Sequence, residues 1–155
     1  MLNQNNLKEQ ILTATESVRW FTSCERENVI CTGVQLSRDD TPSCTKEACS
    51  FRDANHEMQK RGIVVLGVST DDVNSHKKFA DKYGLPFPLL SDTDAHVAQL
   101  YDVYKEKNMF GKNYMGVERS TFLIDKDGVV RKIWHKVKPE DHANEVLETV
   151  EDLHL

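Results

Sequence analysis

The order of apolar and polar positions divides most of the chain into helices that alternate with strands. Over residues 42–60, apolar side chains recur at helical spacing and predict an amphipathic helix with one buried face. The continuous apolar run at residues 63–69 predicts a strand buried on both faces of a sheet. The remaining predicted elements are helices at about 73–83, 94–101 and 139–153, and strands at 89–90, 120–125 and 129–134.

Turn residues set several of the boundaries. Asp94 is expected to cap the third helix, and Asp127-Gly128 is a strong signal for a hairpin turn between the last two strands. Residues 103–118 look like a loop. Residues 5–20 are compatible with a helix, whereas residues 21–40 contain only a weak indication of a short strand. This succession predicts a single α/β domain with a mixed sheet and helices on both faces.

Composition and charge narrow the class of protein. The 155 residues have 39% hydrophobic and 29% charged content, which is typical of a globular domain. The net charge of −5, without a basic run, argues against nucleic-acid binding, and no apolar stretch reaches membrane length. We find no secretory signal in the N-terminal residues, so the four cysteines favour redox or metal chemistry in the cytoplasm over structural disulfides.

Two of these cysteines, Cys44 and Cys49, lie at the start of the first clear helix. Thr41 suits the N-cap and Pro42 the first helical position, so Cys44 falls in the first turn. Unpaired N–H groups and the helix dipole favour a thiolate there, which is the nucleophilic form of cysteine. Residues five apart in a helix are separated by about 7.5 Å along the axis and point in different directions. A disulfide between Cys44 and Cys49 therefore requires the helix to unwind.

Three other interpretations of the pair compete with a nucleophile. Buried cysteines often serve packing alone. A zinc site usually takes two close pairs of ligands, which the cysteine spacings and the scattered histidines do not offer. A dithiol oxidoreductase acting on protein disulfides usually has two residues between its cysteines, not four.

The other residues with reactive or bulky side chains have simpler expected roles. We expect Cys24 and Cys31 to be bystanders, and Trp20 and Trp134 to be packing groups. Five acidic residues are expected to be solvated or capping groups: Asp39, Asp40, Glu47, Asp53 and Asp92.

The cysteine helix resembles the active-site helix of the peroxiredoxin Q group, also called bacterioferritin-comigratory proteins, within the AhpC/TSA-type thiol peroxidases. The resemblance extends over about residues 38–155. The motifs that carry it are, in order, 41–49 with Phe51-Arg52-Asp53, Leu89-Leu90-Ser91-Asp92, Phe110-Gly111-Lys112 and the segment 118–125.

The resemblance implies a thioredoxin-like fold and a peroxidase. Cys44 would attack a hydroperoxide, and Cys49 would resolve the product as an intramolecular disulfide, which thioredoxin or a similar dithiol would reduce. Thr41 and Arg119 would contact the thiolate and the peroxide. The resemblance also implies hydrogen peroxide and alkyl hydroperoxides as substrates, a monomer, and no metal, haem or flavin cofactor.

The chain departs from this group upstream of the site. Ser37 stands where the group has a proline, and the usual opening strands are not recognisable in residues 1–36. We therefore divide the chain into an atypical segment, 1–37, and a peroxiredoxin domain, 38–155. Either the N-terminus has been remodelled or the reading frame shifts near Arg38. In the second case the chain would be a destabilised, non-catalytic remnant.

Overall fold

The computed structural model describes residues 30–35, 42–126 and 129–155. Its elements are β1 (Ile30–Gln35), α1 (Pro42–Lys60), β2 (Ile63–Ser69), α2 (Val73–Tyr83), β3 (Leu89–Ser91), α3 (His96–Leu100), β4 (Tyr104–Met109), β5 (Lys112–Val117), β6 (Ser120–Ile124), β7 (Val130–His135) and α4 (His142–Asp152). Five of the strands form a mixed sheet in the order β3-β2-β1-β6-β7. Strand β1 is parallel to β2 and antiparallel to β6, which makes it the central strand.

Helices cover both faces of this sheet, as the sequence predicted. The larger core cluster joins the buried stripes of α1 and α4 to side chains of α2 and the sheet. A smaller cluster contains other side chains of the sheet and Ala98 of α3. It also contains Val103, just before β4, and Val117, at the end of β5. Strand β2 alternates between buried and half-buried side chains, so its second face is covered less completely than the apolar run predicted. No helix in the described ranges is long and apolar enough to cross a membrane.

The helix at the start of the peroxiredoxin-like region is confirmed over the predicted length. Cys44, Ala48, Phe51 and Met58 form its buried face. Helix α4 packs beside it in the same core cluster. The last helix begins at His142, three residues after Pro139, so it is shorter than predicted.

Strand β1 lies where the sequence pattern indicates structure only weakly. It comes from the segment that we set apart as atypical, yet its backbone pairs with both neighbours, including Cys31 with Val64 and with Ile124. The central strand is thus present, although its sequence departs from the pattern that the rest of the chain resembles. The proposed boundary after residue 37 stays a prediction, because residues 1–29 and 36–41 lie outside the described ranges.

The predicted loop at 103–118 is wrong. Strands β4 and β5 form a separate two-stranded antiparallel sheet, with Met109 opposite Lys112. The turn between them places Phe110 and Gly111 at positive φ, 52° and 76°, as a two-residue hairpin turn with matching twist requires. Most side chains of this hairpin are polar and exposed, so its sequence has no buried alternation to indicate strands.

The cap of α3 also differs from the prediction. Asp94 accepts one long hydrogen bond, from the His96 amide at 3.3 Å. The buried Asp92 instead accepts hydrogen bonds from the amides of Val97 at 3.0 Å and Ala98 at 2.9 Å. Ala95 occupies the N-cap position without a side-chain hydrogen bond, so Asp92 caps the amides of the helix start, in agreement with the capping or solvated role predicted for it. The hairpin of β6 and β7 is confirmed, although Asp127 and Gly128 in its turn lie outside the described residues.

Candidate active site

Cys44 is the third residue of α1, and its side chain is fully buried. Pro42 and Ser43, which precede it in the first turn, are exposed. This position gives the sulfur the unpaired N–H groups and the positive end of the helix dipole, both of which favour the thiolate. Thr41, the predicted N-cap and site residue, lies outside the described residues.

Arg119 reaches Cys44 from a distant part of the chain. It lies in the two-residue link between β5 and β6, and its carbonyl accepts a hydrogen bond from the Lys136 amide at 3.0 Å. Its Nη2 donates to the Cys44 Sγ at 3.4 Å. Since the guanidinium keeps its proton under all ordinary conditions, its positive charge next to the sulfur is permanent. The fold thus brings together two of the residues that the resemblance assigned to the site.

Glu47 is a member of the site that the sequence analysis missed. The expectation was a solvated or capping residue, but its side chain is 0% exposed, and its Oε2 lies 3.1 Å from the Arg119 Nε. Burial raises the pKa of Glu47 to about 8, the charge of Arg119 opposes this rise, and Cys44 adds to it. A signal was present in the sequence, because position 47 is three residues after Cys44 and next to Ala48, on the apolar face of the helix.

Cys49 is half-buried on the same helix, and both cysteines are thiols. The helix is continuous from Pro42 to Lys60, so the predicted separation of the two sulfurs applies to this conformation. One contact lies within the region that a disulfide would disturb, and a second lies just beyond it. The Lys46 Nζ lies 2.7 Å from the Glu140 Oε1 at the surface, and the Arg52 Nη1 donates to the Tyr83 carbonyl at 2.8 Å. Opening of the helix start would separate the first pair and leave the second intact.

The other residues considered in the sequence fall outside this cluster. Asp53 is exposed and pairs with its neighbour Arg52. Trp134 packs in the core, as expected. Cys31 lies in β1, and Trp20, Cys24, Asp39 and Asp40 lie outside the described residues. The described site therefore consists of Cys44, Glu47 and Arg119, with Cys49 about one turn further along the helix.

Comparison with known proteins places this chain in a family. The profile described as "AhpC/TSA family" matches residues 34–133. The chain is 54% identical over 110 residues to a putative peroxiredoxin Bcp of Coxiella burnetii, covering 71% of this chain and 73% of that one. It is 50% identical over 116 residues to peroxiredoxin Bcp of Bacillus subtilis, covering 75% and 74%.

Solved structures give the same result for the fold. The Xanthomonas campestris bacterioferritin comigratory protein is 42% identical and covers 80% of this chain and 79% of its own, with a TM-score of 0.76. A mutant PrxQ of Xylella fastidiosa is 37% identical and covers 83% and 79%, with a TM-score of 0.78. These neighbours confirm the thioredoxin-like peroxiredoxin fold predicted from the sequence motifs.

Proposed function

This chain belongs to the AhpC/TSA family and is a peroxiredoxin, a thiol peroxidase, and we propose that Cys44 is its attacking thiol and Cys49 its resolving thiol. The observation that carries the assignment of Cys44 is the 3.4 Å contact between its sulfur and the Arg119 guanidinium at the start of a helix. Cys49 lies beyond the first turn, where the helix N–H groups are already paired. The helix dipole and the fixed positive charge both favour ionisation of the Cys44 thiol.

The first step is attack by the Cys44 thiolate on the terminal oxygen of a hydroperoxide. The O–O bond breaks, an alcohol or water leaves, and Cys44 becomes a sulfenic acid. Arg119 stabilises the charge that develops on the leaving oxygen, and it does so without reorganisation because its side chain is held between Cys44 and Glu47. Thr41 would add a hydrogen bond to the thiolate or the peroxide, as the family resemblance implies.

The second step is condensation of the sulfenic acid with the Cys49 thiol, which forms a disulfide and releases water. The continuous helix forbids this bond, so the first turns of α1 must open. The Lys46–Glu140 pair is exposed and resists opening only weakly, because surface ion pairs contribute little to stability. Phe51 is fully buried and anchors the helix just beyond Cys49.

The third step, by our proposal, is reduction of the disulfide by thioredoxin or a similar dithiol protein through thiol–disulfide exchange. We propose hydrogen peroxide and small alkyl hydroperoxides as substrates. The Xanthomonas campestris bacterioferritin comigratory protein has an alkyl peroxide reduction activity, which supports the second class. We further propose a monomer that acts in the cytoplasm.

A coupled assay tests this function. Purified chain should consume hydrogen peroxide in the presence of thioredoxin, thioredoxin reductase and NADPH. Cys44→Ser should abolish this consumption, because a hydroxyl is far less acidic than a thiol and does not replace it as the nucleophile. Retention of more than about a tenth of the wild-type rate by that variant would overturn the assignment. Reduction of insulin disulfides without peroxide consumption would instead identify a dithiol oxidoreductase.

A further inference from the structure

The site places one permanent positive charge between two acids. The Arg119 guanidinium lies 3.4 Å from the Cys44 sulfur and 3.1 Å from a Glu47 carboxyl oxygen. Both acidic side chains are removed from water, and the arginine is only 17% exposed. In such surroundings a charge without a partner is costly. The favoured state therefore pairs the guanidinium with one anion, either the Cys44 thiolate or the Glu47 carboxylate.

The surroundings of Glu47 favour its protonated form while Cys44 is a thiolate. Burial raises the pKa of Glu47 to about 8, and the nearby Cys44 acts in the same direction as burial. Besides burial, the charges of Arg119 and Cys44 act on the carboxyl. Neither of its oxygens has a hydrogen-bond partner among the described residues, so nothing there stabilises the carboxylate except the charge of Arg119.

We propose that Glu47 gives its proton to the leaving oxygen when Cys44 is oxidised, and that its carboxylate then replaces the thiolate as the partner of Arg119. This inference rests on the proposed function, because it requires Cys44 to be the attacking thiol. It assigns a proton donor to the reaction. It also accounts for a buried carboxyl group at a position where an apolar residue would fit the helix face.

The charges and atoms of the step balance. The Cys44 thiolate takes the terminal OH of the hydroperoxide as the S–O bond forms. The electron pair of the broken O–O bond stays on the leaving alkoxide, so the sulfur is oxidised and the peroxide is reduced. The alkoxide accepts the proton of Glu47 and leaves as the alcohol. Before the step the site holds a thiolate, a carboxylic acid and a guanidinium. After the step it holds a sulfenic acid, a carboxylate and a guanidinium. The net charge of the three groups is zero in both states.

The change also favours the following step. Once Cys44 is a neutral sulfenic acid, the new charge of Glu47 lies buried in the first turns of α1. The sulfur then carries no charge, so Arg119 no longer holds it through an ionic contact. Disulfide formation requires Cys44 to leave this position and reach Cys49. Proton donation by Glu47 thus couples oxidation of the sulfur to its release from Arg119.

The test measures protons in a single turnover near neutral pH. The Cys49→Ser background stops the reaction at the sulfenic acid, and an indicator dye in weak buffer follows proton uptake after one equivalent of tert-butyl hydroperoxide. We expect no net uptake with Glu47 present, and one proton per oxidised Cys44 in Glu47→Gln, because the alkoxide then takes its proton from water. Glu57→Gln is the matched control on the same helix: Glu57 is exposed, and its variant should behave like the background.

Infrared difference spectra of the same reaction give a second measurement that needs no Glu47 variant. Oxidation should remove a carboxylic-acid band and add a carboxylate band. Uptake of one proton with Glu47 present, or zero uptake without the carboxylate band, would overturn the proposal. Mass spectrometry of the same samples separates proton donation by Glu47 from attack by Cys44. If Cys44 is oxidised but the proton or infrared result contradicts the proposal, only proton donation is refuted. If Cys44 is not oxidised, the proposed function is refuted as well.

Discussion

Arg119 donates a hydrogen bond to the sulfur of Cys44 across a sequence separation of 75 residues. The contact depends on two features of the fold. Strand β6 pairs with the central strand β1, and helix α1 packs against the same sheet in the larger core cluster. Because Arg119 immediately precedes β6, the register of the sheet places its side chain at the helix start.

Replacement of Arg119 by lysine should slow the first step. Arg119→Lys keeps the positive charge but loses the planar group that contacts Cys44 and Glu47 at once. We expect a fall of about tenfold or more in the second-order rate of Cys44 oxidation, with little change in stability. Stopped-flow fluorescence or competition with another peroxidase measures this rate.

Arg61→Lys is the matched control, because Arg61 pairs with Glu151 at the surface, away from the thiols. It should leave the oxidation rate unchanged. Equal rates in Arg119→Lys and wild type would show that the contact with Cys44 has no catalytic importance.

Replacement of Cys49 should separate the first step from recycling. Cys49→Ser should react with its first equivalent of peroxide at the wild-type rate, because the continuous helix keeps Cys49 away from the attacking sulfur. The sulfenic acid should then persist and be trapped by dimedone at Cys44. Normal cycling of this variant with thioredoxin would show that the resolving thiol is another cysteine, with Cys31 and Cys24 as the candidates.

Elements that bury a continuous or periodic apolar face could be predicted from the sequence. Helix α1 and strand β2 were predicted within their observed bounds for this reason. The hairpin of β4 and β5 escaped prediction because its residues are mostly polar, and because Phe110 at positive φ is not a typical turn residue. Strand β1 had only a weak signal, since its central position is decided by pairing with strands distant in sequence.

The site was predictable to a similar extent. The helix-start position of Cys44 follows from local sequence, whereas the approach of Arg119 was expected only from the family resemblance. Glu47 was missed because a glutamate in a helix is usually solvated. Its burial depends on the partner that folding supplies, Arg119, which the local sequence does not reveal.

The buried carboxyl of Glu47 should make stability depend on pH. Its pKa is about 8 in the folded chain, against an ordinary value of 4.5. Between these values the folded state binds the proton that the unfolded state has lost, so the free energy of unfolding should fall as pH rises. We expect a loss of up to a few kcal/mol over this window, to be measured by urea unfolding.

The comparison is best made between Cys44→Ser and Cys44→Ser/Glu47→Gln, since neither contains the Cys44 thiol, which also acts on the pKa of Glu47. The double variant should lack the part of the slope that Glu47 supplies. Parallel pH profiles for the two proteins would contradict a raised pKa of Glu47.

Oxidation should change the dynamics of one part of α1. Formation of a disulfide between Cys44 and Cys49 should speed amide exchange over about residues 43–51, because the helix has to open there. Residues 53–60 should exchange slowly in both states, held by Met58 in the core and by the Arg52–Tyr83 contact, and so should β2. Unchanged exchange around Cys44 in the disulfide form would mean that the helix does not begin where the structure places it.

The most direct test of the central claim is to map the sulfur chemistry after one equivalent of hydrogen peroxide. Wild-type chain is reduced, oxidised in the absence of thioredoxin, digested without reductant and analysed by mass spectrometry. We predict an intramolecular disulfide between Cys44 and Cys49 in place of the two thiols, and its absence in both Cys44→Ser and Cys49→Ser. Consumption of the peroxide with Cys44 still a thiol, or with Cys44 linked to another cysteine, would contradict the account.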